Sequence, residues 1–144
     1  MTLLTEILFY GIQVVSIIFA VVLAKHDAPA VIHFENKGVD PLTMAKFHRY
    51  NVWVKSLFHV VCALPFLPDL KTSIASGLLS FLWVWLLFDI ALNKSRPGRS
   101  WDYIGENDAD GRRWIEWFGK KAGEWKAVIL SIGIVSVNVL KYII

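Results

Sequence analysis

The hydrophobic residues of this chain are gathered into four blocks, and most of the charged residues lie between them. Uncharged runs extend from Ile7 to Ala24, from Thr72 to Phe88 and from Ala127 to Leu140. A membrane-spanning helix needs roughly 20 mainly apolar residues, which each run reaches with its apolar flanks. The pattern therefore predicts spans over residues 3–24, 72–92 and 126–144.

The fourth block, from Phe47 to Leu67, is the most polar because it contains Lys55 and two histidines. We expect a fourth span over residues 47–67, because the run that follows Lys55 is uncharged and needs a helix to carry it. A competing interpretation lays this segment on the membrane surface. It leaves three spans and places the two termini on opposite sides.

Helix-end signals support a helix in this block. Asp40 is a favourable N-cap, and Pro41 suits the first helical position. Pro65 and Pro68 end the helix, and either Thr72 or Ser73 caps the next one. These signals predict an antiparallel hairpin of the second and third spans.

Positive charge predicts the orientation of the bundle. Most Lys and Arg residues flank the first and third loops, whereas Lys71 and Lys141 lie on the other side. By the positive-inside rule the first and third loops are cytoplasmic, and both termini lie on the opposite side of what we expect to be a bacterial inner membrane. The first loop, Lys25 to Asp40, is expected to be an ordered surface loop in which His26 and His33 are solvated.

The third loop contains an amphipathic pattern over residues 108–125, with aromatic side chains on one helical face and charges on the other. We interpret it as a helix in the cytoplasmic headgroup layer, where it meets anionic headgroups, although the same face could pack on protein. The expected membrane-interface anchors are Trp101, Trp114, Trp117, Phe118 and Trp125.

The second span carries a polar stripe, because its polar residues recur at spacings of three and four. A charged side chain near the centre of a membrane helix costs about 2.5–3.5 kcal/mol, so this stripe should face other helices or water. Polar residues of the other spans lie at matching depths. The predicted intramembrane seam comprises His48, Asn51, Lys55, His59, Cys62, Gln13, Glu6, Asp89, Asn138 and Lys141.

Depth matching also suggests two compensating ion pairs. Glu6 and Lys141 lie at similar outer depths, and Lys55 could reach Asp89 at the inner end. The seam itself has two interpretations. It could conduct protons or ions, or its hydrogen bonds could fix the packing of the helices, which we favour.

Composition agrees with an all-α, polytopic membrane protein formed by one domain over residues 1–144. Of the 144 residues, 56% are hydrophobic and 19% are charged, and the mean hydropathy is +0.50. The net charge of +3 is interleaved in sign, so a nucleic-acid partner is not expected. Cys62 is the single cysteine, which excludes an intrachain disulfide.

No catalytic motif, cofactor motif or metal-ligand set stands out. His59 and Cys62 could share a metal ion, but two ligands are too few for a closed zinc site. Acidic residues around Asp102 and Asp108 are typical of a solvated helix N-terminus. We therefore expect a structural or accessory subunit that associates with further copies or with other membrane subunits. A small pore or transporter, holin-like in size, is the alternative, and a lipid-directed enzyme is the third.

Overall fold

The fold is known from a computed structural model, which describes residues 2–38, 40–104 and 109–143. The described residues form five α-helices and no β-strand. The α-helices are α1 (Leu3–Lys37), α2 (Pro41–Ala63), α3 (Leu70–Lys94), α4 (Ala109–Phe118) and α5 (Ala122–Ile143). Short 3₁₀ turns at Leu64–Phe66 and Gly119–Lys121 follow α2 and α4.

Three helical stretches are long and apolar enough to cross a membrane. They are Leu3–Phe34, Leu70–Lys94 and Gly111–Ile143, the last of which includes α4 and α5. Such helices are what a membrane protein requires. Among the described residues α2 is not one of these stretches, because Lys46, Arg49 and Lys55 interrupt its apolar sequence.

The first loop is wrongly predicted, because the whole segment from Lys25 to Lys37 belongs to α1, a helix of 35 residues. Pro29 lies inside the helix and removes one backbone hydrogen bond, which ordinarily costs about 3 kcal/mol or more. Leu23 and Ala24, in the turns before the proline, are buried in a cluster with Phe88 of α3, and this packing keeps the helix continuous here. Gly38 ends it with a positive φ of 67°, donating its N–H to the Phe34 carbonyl.

The start of α2 is confirmed, and the start of α3 is corrected. The Asp40 carboxylate accepts hydrogen bonds of 3.0 Å from the Leu42 and Thr43 amides, with Pro41 as the first helical residue. In α3 the cap is Asp69, which accepts from the amides of Lys71 and Thr72. Thr72 and Ser73, the predicted caps, lie inside α3, because Asp69 has the extended backbone that a cap needs.

The predicted surface helix is divided in the structure. Its first part forms α4, its last residues from Ala122 onward begin α5, and Asp108 lies outside the described residues. Gly119, with a positive φ of 57°, separates the two helices. Glycine adopts this backbone conformation at little cost, so the α-helix is interrupted at this residue.

α3 lies at the centre of the bundle and packs against α1, α2 and α5. One core cluster joins α1, α3 and α5 around Phe9, Leu79 and Leu130. A second joins α1 and α3 around Ala24 and Phe88, with α2 packed against its edge. Small side chains permit these close helix contacts, as is usual between membrane helices.

Contacts between named residues give the directions of the helices. Ser80 lies beside His59 and Ser73 beside Ala63, so α2 and α3 are antiparallel. The hydroxyls of Tyr10 and Tyr142 are 2.6 Å apart, so the start of α1 and the end of α5 meet at one end of the bundle. We call this the terminal end, and the opposite end, near Asp89 and Lys126, the loop end.

Candidate functional site: a polar network across the bundle

A hydrogen-bonded group at mid-bundle joins α1, α3 and α5. The Gln13 side chain donates to Asn138 Oδ1 at 3.2 Å, and its Oε1 accepts from Trp83 Nε1 at 3.1 Å. Asn138 also donates to the Ile134 carbonyl at 2.9 Å. Gln13 is buried and Asn138 is half-buried, so both amides find partners where solvent is scarce. The sequence singled out both amides but not Trp83.

A second hydrogen-bonded group joins α2 to α3. His59 Nδ1 lies 3.0 Å from Ser80 Oγ, which itself donates to the Gly77 carbonyl. Ser76 and Ser73 donate to the backbone carbonyls of α2 at Cys62 and Ala63, at 2.8 and 2.9 Å. Ser73 and Ser76 of α3 are therefore donors that hold α2.

The predicted stripe on α2 is not uniform in its surroundings. Asn51 and Cys62 are buried, Lys55 and His59 are half-buried, and His48 is exposed. Lys55 Nζ lies 3.3 Å from the centre of the Phe88 ring, a cation–π contact within the core. His48 lies outside the network because it belongs to the exposed first turns of α2.

At the loop end, Asp89 pairs with Lys126, a lysine outside the predicted seam. The Lys126 Nζ is 2.8 Å from Asp89 Oδ2, and the lysine side chain is 10% exposed. The ring of Trp85 lies 5.0 Å from the same ammonium. The sequence could have suggested this pair, because α5 runs antiparallel to α3 and brings its first turns to the end of α3.

The connection after α3 is bound to the end of that helix. Buried Asn93 donates to the carbonyls of Trp101 and Tyr103, at 3.1 and 2.8 Å. Arg96 donates to Asn93 Oδ1, and its guanidinium lies over the Tyr103 ring. The end of α3 thereby positions the segment that follows it.

At the terminal end, the Lys141 ammonium lies among aromatic rings. Its Nζ is 3.5 Å from the centre of the Phe9 ring and about 5 Å from the rings of Tyr10 and Tyr142. The predicted Glu6–Lys141 pair is not formed as a direct ion pair between these two described residues. Both side chains instead line one groove between α3 and α5.

Asp27 is a buried carboxylate that sequence reasoning missed. It is 1% exposed, its Oδ1 lies 3.0 Å from His26 Nδ1, and its Oδ2 has no hydrogen-bond partner in the described part of the chain. The sequence places it in a surface loop, because a proline such as Pro29 ordinarily ends a helix. The sequence signal that could have found it is helical spacing. Ala20, Leu23, Ala24 and Asp27 recur at intervals of three and four residues, which places them on one face of a helix.

The expected interface anchors divide into two groups. Trp114 is buried and stacks on Phe118, whose ring also stacks on Trp125. Trp117 is 68% exposed, and Trp101 and Trp125 are also exposed. Part of the aromatic face of α4 therefore packs on the protein, and part of it is open to the surroundings.

Of the acidic residues in the third loop, Glu106 and Asp108 lie outside the described residues. Among the side chains that the structure describes, no three His, Cys, Asp or Glu residues are grouped as a metal site would need. No family model, curated protein or solved structure matches this chain.

Proposed function

We propose that the chain is an integral membrane protein in which α1, α2, α3 and α5 each cross the bilayer, and that it acts as a structural or accessory subunit of a membrane assembly. The observation that carries this proposal is the pairing of polar groups between helices. Gln13 bonds to both Asn138 and Trp83, and His59 bonds to Ser80. A seam whose groups are used for cross-helix bonds supports a packing role better than a conducting path.

Three features support the four-span arrangement. Successive long helices run in opposite directions, as short connections between spans require. The groups of α2 that are costly in lipid, Asn51 and Lys55, are at least partly covered by the bundle. The exposed residues of its middle and last turns are mainly apolar, with Trp53 74% exposed and Leu57 65% exposed.

In this arrangement the loop end lies in the cytoplasm of a bacterial cell, with α4 at the headgroup layer. Exposed basic residues of α4 and the turn after it support contact with anionic headgroups. They are Arg112, Arg113, Lys120 and Lys121. Trp117, the most exposed aromatic residue of α4, is suited to the same depth.

Single-cysteine labelling tests the four-span arrangement. In a Cys62→Ser background, Thr2→Cys and Lys71→Cys should react with a membrane-impermeant maleimide added from outside the inner membrane. Lys121→Cys should react only after the membrane is permeabilised. The three-span alternative is favoured instead if Thr2→Cys and a cysteine near the end of α5 label from opposite sides.

The mass of the particle after gentle detergent extraction tests the subunit role. We expect a multiple of the 16.4 kDa chain, or the chain together with other membrane proteins. A monomer that makes proteoliposomes permeable to ions would favour the pore alternative, particularly if His59→Leu or Lys55→Leu abolishes the leak. A monomer without any leak contradicts both functions.

A further inference from the structure

The groove at the terminal end has apolar walls and charged residues at its rim. Ile74 and Leu78 of α3 face Val137 and Leu140 of α5 across it. The groove has a volume of about 630 Å³ and is open to the surroundings. Small-molecule sites of this size usually enclose most of the surface of their ligand. An open groove with apolar walls and a charged rim suits an amphiphile better than a small metabolite.

The rim of this groove carries equal numbers of opposite charges. The acidic residues are Glu6 and Asp69, and the basic residues are Lys71 and Lys141. The Asp69 carboxylate is already used as the cap of α3. A headgroup with one negative and one positive centre matches this balance, whereas a headgroup with net charge does not.

Glu6 and Lys141 are the two rim charges with unused bonding capacity. Lys141 Nζ is buried and has no hydrogen-bond acceptor within the described residues. Glu6 is half-buried, and the described part of the chain gives its carboxylate no hydrogen-bond donor. A buried ammonium without an acceptor is costly, so an anion that reached it would be held firmly. The flexible four-carbon stem of lysine lets the ammonium turn from the Phe9 ring toward the groove.

We propose that this groove binds one zwitterionic phospholipid with a primary amine in its headgroup, of the phosphatidylethanolamine type. The lipid phosphate accepts hydrogen bonds from Lys141, its ammonium donates to Glu6, and an acyl chain lies between α3 and α5. This inference rests on the proposed membrane-spanning arrangement, which puts the rim of the groove at the outer headgroup layer. A choline headgroup carries the same charges but has no N–H to donate, so the Glu6 contact distinguishes the two lipids.

The test uses the full chain in nanodiscs made from an equimolar mixture of dioleoyl phosphatidylethanolamine and dioleoyl phosphatidylcholine. After mild detergent extraction, native mass spectrometry measures how much of each lipid stays bound. We expect a roughly tenfold preference for the ethanolamine lipid, the size of one hydrogen bond between charged groups. Glu6→Gln should abolish the preference, and Lys141→Met should lower retention of both lipids.

Matched controls at the loop end are Glu124→Gln and Lys37→Met, which change the same groups on exposed positions of the chain. Both should behave like the wild type. If Lys141→Met fails to fold, Lys141→Arg should keep the preference, and Glu6→Gln still decides the question. Equal retention of the two lipids by the wild type, or a preference that survives Glu6→Gln, overturns the proposal.

Failure of the lipid site can be distinguished from failure of the proposed function. Membranes containing the chain are washed with alkaline carbonate before extraction. A chain that stays in the membrane but has no lipid preference disproves only the lipid site. A chain that the wash releases disproves the membrane-spanning arrangement as well.

Discussion

Lys126 Nζ of α5 lies 2.8 Å from Asp89 Oδ2 of α3, and the two side chains are 10% and 38% exposed. The Lys126 ammonium also makes a cation–π contact with the Trp85 ring. The pair joins the two helices near the connection that links them. It therefore fixes the start of α5 relative to the end of α3.

Removing one partner of this pair should destabilise the protein. Breaking a buried pair costs about 3–5 kcal/mol, and the exposure of Asp89 reduces this to about 1–3 kcal/mol. We expect Asp89→Leu and Lys126→Met each to lower the unfolding temperature in detergent, measured by Trp fluorescence. The double variant should be more stable than the sum of the two single effects predicts. Strict additivity would contradict a direct coupling.

The network at Gln13 makes a second prediction. Gln13→Leu removes two cross-helix hydrogen bonds and leaves the Trp83 N–H and the Asn138 carbonyl without their partner. Hydrogen bonds between membrane helices contribute about 0.6 kcal/mol each on average, so the loss should be about 1–2 kcal/mol. Val14→Leu, at a neighbouring exposed position, is the control. Equal stabilities of the two variants would show that the network does not stabilise the bundle.

Gly123 is expected to be intolerant of any side chain. A Cβ at this position would overlap the carbonyl of Asp102, which is backbone and cannot move aside cheaply. Gly123→Ala should detach the connection after α3 and speed tryptic cleavage after Arg99, which Ser100 follows. Gly11→Ala is the control, because a Cβ there meets no atom within 4 Å, and it should be neutral or stabilise the helix. Unchanged cleavage in Gly123→Ala would contradict this packing.

The cap of α2 should depend on pH. Hydrogen bonds from Thr43, its side chain first, lower the pKa of Asp40 below its ordinary value of 3.8. Because the folded-state pKa is the lower one, the cap stabilises α2 above pH 3.8 and is lost as the pH falls through the folded-state pKa. Hydrogen exchange at the Leu42 and Thr43 amides should accelerate over that range relative to amides at mid-helix. In Thr43→Val, the acceleration of hydrogen exchange should begin at a higher pH as the pH is lowered. If it begins at the same pH as in the wild type, Thr43 is not the cause of the lowered Asp40 pKa.

Sequence reasoning reached the parts of the fold that depend on local patterns. The Asp40–Pro41 helix start follows from cap chemistry, and the three apolar helices follow from hydropathy. It failed where tertiary packing overrides a local signal. Pro29 is ordinarily a helix breaker, but burial of the adjoining turn against the bundle keeps α1 helical.

The least predictable part of the site was which side chain contacts which across the bundle. Depth matching suggested Lys55 as a partner of Asp89, but it could not show that Lys126 approaches Asp89 from a neighbouring helix. Depth along a span is given by residue number, whereas the angular order of the helices around α3 depends on packing. Trp83 was missed for the same reason, because its N–H contacts Gln13 only when α1 packs on that face of α3.

Asp27 supplies the last prediction. Its Oδ2 is buried without a hydrogen-bond partner in the described residues, and only the exposed His26 contacts its Oδ1. An unsatisfied buried acceptor costs about 1–3 kcal/mol, and a charged one more. Asp27→Asn keeps the shape and removes the charge, so it should raise the unfolding temperature, whereas Glu124→Gln on the exposed face of α5 should not. A large destabilisation in Asp27→Asn would instead mean that the carboxylate is neutralised by a bound cation in the membrane. Melting in sodium and in choline chloride would distinguish that case, since only sodium can coordinate a carboxylate oxygen closely.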